Sequence, residues 1–214
     1  MSILEKIIKT KKEEAARQKK VVSVDQFKKY PFFNRKCNSL KKALQKDNSL
    51  GIIAEFKQKS PSKGDINFHA KVEDVTKSYV EAGASGLSVL TDFEFFGGTL
   101  ANLTKARDAN PETPILRKDF IIDTYQVMEA KAFGADVVLL IAACLGKKQA
   151  ESLAKKAKSL GMEVLMEVHN AEELEKINDF VDIVGVNNRD LKTFKVDVET
   201  SVQLANDIPG QFLK

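Results

Sequence analysis

The sequence predicts an α/β protein, a (β/α)8 TIM barrel preceded by a helical extension, and three observations carry that expectation. From residue 50 onward, apolar strand-like segments near 51–57, 86–90, 114–118, 136–141, 162–168 and 182–187 alternate with amphipathic helical segments. Three helices close on a glycine just before the next strand, Gly83, Gly134 and Gly161, as expected where the backbone turns left-handed past a helix C-terminus. The five steps from Glu55 to Asn187 average about 26 residues, which suits one βα unit of such a barrel. No GxGxxG or Walker A sequence follows a strand, which argues against a doubly wound nucleotide-binding sheet.

Residues 1–48 read as the extension, packed on the barrel, and 49–214 as the barrel itself. The first helix spans 2 to about 20: Ile3, Leu4, Ile7 and Ile8 form a short apolar stripe, and a charged half follows that is expected to face water. Two shorter helical pieces fill 25–47 on either side of Tyr30-Pro31, the second opening at Ser39 as an N-cap. Beyond Asn187 there is room for one helix, about 197–207, and a strand beginning at Gln211. The chain therefore covers about six βα units and the start of a seventh strand, and the barrel is expected to be incomplete.

Composition excludes several classes. A net charge of +4 is small beside 34 basic and 30 acidic residues, and the aromatic residues are too scattered for a base-stacking platform, so no nucleic acid is expected. The longest apolar run, Val137 to Leu145, falls far short of the roughly 18 residues of a membrane span. Cys37 and Cys144 form neither a CxxC nor a disulfide framework, which suits a reducing, cytoplasmic setting. The N-terminus mixes Glu5, Glu13 and Glu14 with its lysines and lacks an apolar targeting core.

The chemistry gathers at strand ends. In IIAEFKQKSPSKG, residues 52–64, Glu55 and Lys57 share one face of an apolar strand that opens into a polar loop. They either face water from an edge strand or stand at a site, since charges are kept inside a protein when paired or used. Leu116, Lys118 and Phe120 share a face in ILRKDF; Glu163, Leu165 and Glu167 do so in MEVLMEV; Asn187 and Arg189 do so in VGVNNRDL. In a parallel barrel, Lys118, Glu167 and Asn187 would meet Glu55 and Lys57 at the C-terminal mouth, forming an acid–base site. Glu163 belongs at the opposite rim, in a structural pair. Arg189 either braces a carboxylate such as Asp190 or contacts a substrate. Phe95-Phe96-Gly97-Gly98 is either loop packing or the wall of a pocket for a flat ring. His69 and His169 flank helix starts and are assigned capping or surface roles, with no metal implied.

Taken together, IIAEFKQKSPSKG, LTDFEFFGG, ILRKDFIID, VLMEVH and VGVNNRDL, in this order and spacing, closely resemble the indole-3-glycerol phosphate synthase family, from the helical extension to the last residue. The resemblance implies a (β/α)8 barrel that converts 1-(2-carboxyphenylamino)-1-deoxyribulose 5-phosphate, a phosphorylated small molecule, to indole-3-glycerol phosphate in tryptophan biosynthesis. Carbon dioxide and water are released, without cofactor or metal. It further implies Lys118 as general acid and Glu167 as the base for dehydration. Lys57 would pair with the substrate carboxylate, Glu55 would orient the lysines, and Asn187 would position Glu167 or a substrate hydroxyl. Phe96, Phe120, Leu139 and Leu191 would line the aromatic pocket, and Ser60 and Arg189 would contact the substrate or fix the loops.

The family's Ser-Glu-Ser-Gly-type segment on barrel strand seven and its Gly-rich loop after strand eight, which hold the substrate phosphate, have no counterpart in this sequence. A polypeptide ending at Lys214 is therefore expected to turn over little and to self-associate through open edges, whereas a complete one is expected to be a monomer. The alternatives are a non-catalytic barrel fragment serving as a folding or assembly unit, and another phosphate-binding barrel such as phosphoribosylanthranilate isomerase.

Overall fold

The structure, a computed structural model, describes residues 2–189 and 195–214. Its centre is a six-stranded parallel sheet that curls into an open half-barrel. The strands are β1 (Ile53–Phe56), β4 (Gly86–Leu90), β5 (Ile115–Lys118), β6 (Val137–Ile141), β7 (Glu163–Val168) and β8 (Ile183–Val186), neighbours in that order. A two-residue hairpin, β2 (Lys59–Ser60) with β3 (Gly64–Asp65), folds the loop after β1. Each sheet strand falls inside or within a residue of its expected span. Leu213 adds a parallel bridge to Ile183, its carbonyl accepting from the Val184 N–H at 2.8 Å.

Helices α4 (Val72–Glu81), α6 (Leu100–Ala109), α7 (Thr124–Ala132), α8 (Lys147–Ser159), α9 (Ala171–Leu174) and α10 (Glu199–Asp207) follow successive strands, with the short α5 (Phe93–Phe96) ahead of α6. The turns after α4 and α7 hold Gly83 and Gly134 at φ 94° and 95°, left-handed values that an L side chain rarely adopts. Period-two alternation splits the sheet into two apolar layers. Leu87, Val89, Val138, Leu140, Val164, Met166 and Val184 face the helices and pack on Leu103, Val127, Leu153 and Ala154. Ile53, Leu116, Leu139, Leu165 and Ile183 face inward and fill the barrel. The inward face is therefore the one that carries Glu55, Lys118 and Glu167 at its C-terminal end.

The extension grips the barrel at both ends. Its third helix, α3 (Leu40–Leu44), plugs the N-terminal end: Leu40 is fully buried in the inward-facing cluster. Glu163 fixes this plug, accepting from the Ser39 hydroxyl and from the Lys41 N–H at 3.0 Å, which matches the structural role expected for it. Beside it, buried Asp136 accepts from Arg107, from Arg35 at 2.5 Å, and from the N–H groups of Asn38 and Ile115, each at 2.8 Å. The first helix, α1 (Ile3–Val21), lies instead at the C-terminal mouth, and α2 (Val24–Phe27) packs Phe27 on Tyr125 of α7.

The charged half of α1 is largely exposed, as expected, with Lys11 as the exception. Lys11 is 3% exposed, with its ammonium 2.7 Å from Glu14, 2.7 Å from Asp92 and 3.1 Å from Asp119. A lysine in a polar run reads as solvated because helical periodicity does not record acidic partners that only folding brings beneath it.

Candidate active site

A cavity of about 440 Å³ opens at the C-terminal ends of the strands. Four chain segments supply its polar groups, each released by the end of a parallel strand. Lys118, the last residue of β5, points its ammonium at Glu167 of β7, Nζ to Oε2 at 3.0 Å. Asn187, just past β8, donates to the other oxygen, Oε1, at 3.1 Å. Glu55 of β1 pairs with Lys57 at 2.6 Å and lies within reach of the Ser88 hydroxyl at 3.3 Å. β1 is an edge strand of the sheet and both side chains are half-exposed, yet Glu55 and Lys57 line the cavity.

Around this polar floor stand Leu139, Phe96 and Phe120, the two rings 6.0 Å apart at 37°. Phe96 reaches the wall because α5 is a single short turn, opened by Asp92 accepting from the Phe95 and Phe96 N–H groups at 2.7 and 3.1 Å and closed by Gly97 at φ 67°. Ser60 and Arg189 complete the rim, Arg189 lying 3.5 Å from the Ser62 hydroxyl. Of the residues singled out from sequence, all but one thus converge on one opening. Leu191 lies outside the described residues, as does Asp190, the suggested partner of Arg189.

Electrostatics separate the roles. Burial disfavours the charge on Lys118, but Glu167 and Glu55 outweigh it and raise its pKa above the ordinary lysine value. Glu167 is opposed by the same burial, yet a contact to His169, the Lys118 charge and the Asn187 amide pull it down to about 2. The resting site therefore holds a fully charged acid against a fully charged carboxylate. Among the described residues no group of three or more His, Cys, Asp or Glu is arranged to hold a metal ion.

Two contributions escaped sequence reasoning. Ile3, Leu4 and Ile7, the apolar stripe of α1, form one wall of the cavity; the stripe was legible, but not what it covers. His169 is neither a surface residue nor a cap, as expected, but a buried ring between Glu167 and Glu173. Its signal was available: the period that places Glu167 inward places residue 169 on the same side.

The family model for indole-3-glycerol phosphate synthase matches residues 4–214. The chain belongs to this family. It is 49% identical over 207 residues to the indole-3-glycerol phosphate synthase of Bacteroides thetaiotaomicron, an alignment covering 97% of this chain and 79% of that protein. Identity to the indole-3-glycerol phosphate synthase of Polynucleobacter asymbioticus is 42% over 216 residues, 97% of this chain and 80% of that protein. The fold is also similar to that of 3-keto-L-gulonate-6-phosphate decarboxylase from Vibrio cholerae, at a TM-score of 0.55 over 76% of this chain and 75% of that one. At 13% identity this last likeness speaks to the fold alone. No helix among the described residues is long and apolar enough to cross a membrane.

Proposed function

We propose that the protein acts as a carboxy-lyase of tryptophan biosynthesis, closing the indole ring of 1-(2-carboxyphenylamino)-1-deoxyribulose 5-phosphate with loss of carbon dioxide and water. The observation that carries this reading is the Lys118–Glu167 pair, 3.0 Å apart, at the floor of a cavity walled by two phenylalanines. The ring carbon bearing the carboxylate attacks the ketone carbon, and the ketone oxygen takes a proton from Lys118. Carbon dioxide then leaves with its bonding pair returned to the ring. The new hydroxyl departs as water after a further protonation from solvent, and Glu167 removes a proton from the adjacent nitrogen-bound methylene carbon, which completes the aromatic five-membered ring.

Lys118 suits the acid role, because an ammonium whose pKa lies above the ordinary ~10.4 is loaded at neutral pH. A carboxylate held near 2 is a weak base in the resting site. Once Lys118 has given up its proton, one cation beside Glu167 is gone and the carboxylate becomes more basic, so the first proton transfer prepares the second. Lys57, paired with Glu55 at 2.6 Å, exchanges part of that pairing for the substrate carboxylate. Asn187 fixes the orientation of Glu167 through its 3.1 Å bond. Phe96, Phe120 and Leu139 sandwich the aromatic ring, and Ser60 and Arg189 hold the sugar-phosphate end near the loop after β1.

The test is direct. Incubation with the carboxyphenylamino substrate should give indole absorbance, formed roughly 10²–10⁴ times more slowly in Lys118→Met and Glu167→Gln. Turnover of phosphoribosylanthranilate without indole formation would assign the protein to the isomerase reaction instead.

A further inference from the structure

The ring of His169 is held from one side and left facing the site on the other. Behind it, Glu173 accepts from the His169 N–H at 2.9 Å, and the same oxygen lies 3.1 Å from Nδ1. Glu173 is fixed in turn by Asn170, the N-cap of α9, whose Oδ1 accepts from the Glu173 N–H at 3.1 Å and whose Nδ2 donates to Glu173 Oε1 at 3.3 Å. In front, Nε2 stands 3.4 Å from Oε1 of Glu167. That nitrogen is buried and makes no directed hydrogen bond among the described residues. A buried ring nitrogen with only a carboxylate ahead of it is poorly satisfied at rest, and a small swing of Glu167 would satisfy it.

The groups facing this ring come from several elements. Glu167 approaches from β7 and Glu173 from α9. Lys176, beyond α9, spends its ammonium on the Ala142 carbonyl at 2.8 Å. The Cys144 thiol, in the short turn after β6, is kept protonated by burial and by these same two carboxylates, with its pKa pushed up to about 12. Lys118 stands on the far side of Glu167. Burial works against a charged imidazole here, but Glu167 and Glu173 outweigh it and lift its pKa to about 9.

We propose that His169 is a positioning residue for Glu167: anchored by Glu173, its imidazolium steers the Oε1 side of the carboxylate and keeps it ionised after Lys118 has discharged its proton. The inference rests on Glu167 being the base of the reaction. Lys118 loses its charge during the first step, so it cannot hold Glu167 in place for the second. His169 is the neighbouring cation that the proposed proton transfers leave untouched, and Asn187 contributes a dipole but no charge.

The chain has two histidines, His69 and His169, so an NMR titration of the whole protein labelled at histidine Cε1 follows two signals, and the one missing from His169→Gln belongs to His169. His169 should titrate well above the ordinary ~6.5 of a free imidazole, falling by at least about one unit in both Glu167→Gln and Glu173→Gln. An ordinary value for His169, or one that Glu167→Gln does not move, would overturn the proposal. In turnover, His169→Gln should lower kcat by up to about 100-fold, as misplacement of a reacting group does, with KM changed by less than about threefold. It should also move the acid limb of the kcat profile upward, because Glu167 regains proton affinity. A loss of kcat with an unmoved acid limb points to a purely structural role and equally overturns it. Wild-type protein that forms no indole would sink the assigned reaction, while the titration arm alone still decides whether His169 and Glu167 are paired.

Discussion

The ammonium of Lys11 stands 3.1 Å from Oδ1 of Asp119, the residue that follows Lys118. The same ammonium is 2.7 Å from Asp92, whose other oxygen caps the turn that presents Phe96. One buried lysine on the first helix thus ties together the strand end that carries the proposed acid and the loop that carries an aromatic wall. Arg117, also buried, adds a second cation to the cluster, 3.0 Å from Asp119 and 2.9 Å from Glu129.

Removing that lysine should be costly. Lys11→Met leaves two buried carboxylates short of a counter-charge, a class of change that costs about 3–5 kcal/mol. The expected outcome is a matching loss in the free energy of urea unfolding, partly restored in Lys11→Met/Asp119→Asn. Equal midpoints for wild type and Lys11→Met would show that the cluster is not energetically coupled.

For the chemistry, Lys118→Met should lower kcat by roughly 10²–10⁴, the range that positioned proton transfer contributes. Its fold should persist, because the lysine sits at the cavity and not in the packed layers. Steady-state kinetics with a circular dichroism spectrum check both halves, and a variant that kept wild-type kcat would remove Lys118 from the reaction.

Stability should respond to pH with opposite signs at the two ends. Burial of Asp119 is outweighed by Lys11 and Arg117, which with a Thr91 hydrogen bond hold its pKa at about 2, and Glu167 is held near the same value. Folded-state pKa values below the unfolded ones mean stability that is present above about pH 4 and lost as pH falls toward 2. For His169 the sign reverses: its raised pKa gives stability present below about pH 6.5 and lost as pH climbs through about 9. Melting temperatures across pH at fixed ionic strength should therefore decline on both sides. His169→Gln should flatten the alkaline decline and leave Asp119's share of the acid decline in place.

Gly98 is the site where a single methyl group should do most harm. A Cβ there would overlap the Leu90 carbonyl and come within 2.8 Å of the Thr91 nitrogen, so a strand end must move. Gly98→Ala should cost about 1–3 kcal/mol by overpacking. It should also weaken substrate binding, since Leu90 and Phe96 both line the cavity. Thermal unfolding and KM, measured on the same preparation, test the coupling of the two effects.

Much of this molecule was legible residue by residue, and the boundary of that legibility is physical. Strand positions, the glycines that end α4, α7 and α8, and the inward direction of Glu55, Lys118, Glu167 and Asn187 follow from periods of two and 3.6, which are properties of the local chain. Glu163 could be assigned to the far rim for the same reason. The sequence by itself thus determined which strand-end side chains point toward the cavity, and through five spaced motifs it determined the family.

Only the tertiary structure decided who meets whom. Nothing in MSILEKIIKTKK marks Lys11 for burial against Asp92 and Asp119 or Ile3 and Ile7 for the cavity wall, because their partners lie about a hundred residues away and are brought near by helix docking. His169 was misread for a related reason: a residue one step past a strand looks like loop until α9 folds Glu173 behind it. Periodicity fixes the direction of a side chain, but the counter-charge it finds there depends on how separate elements pack.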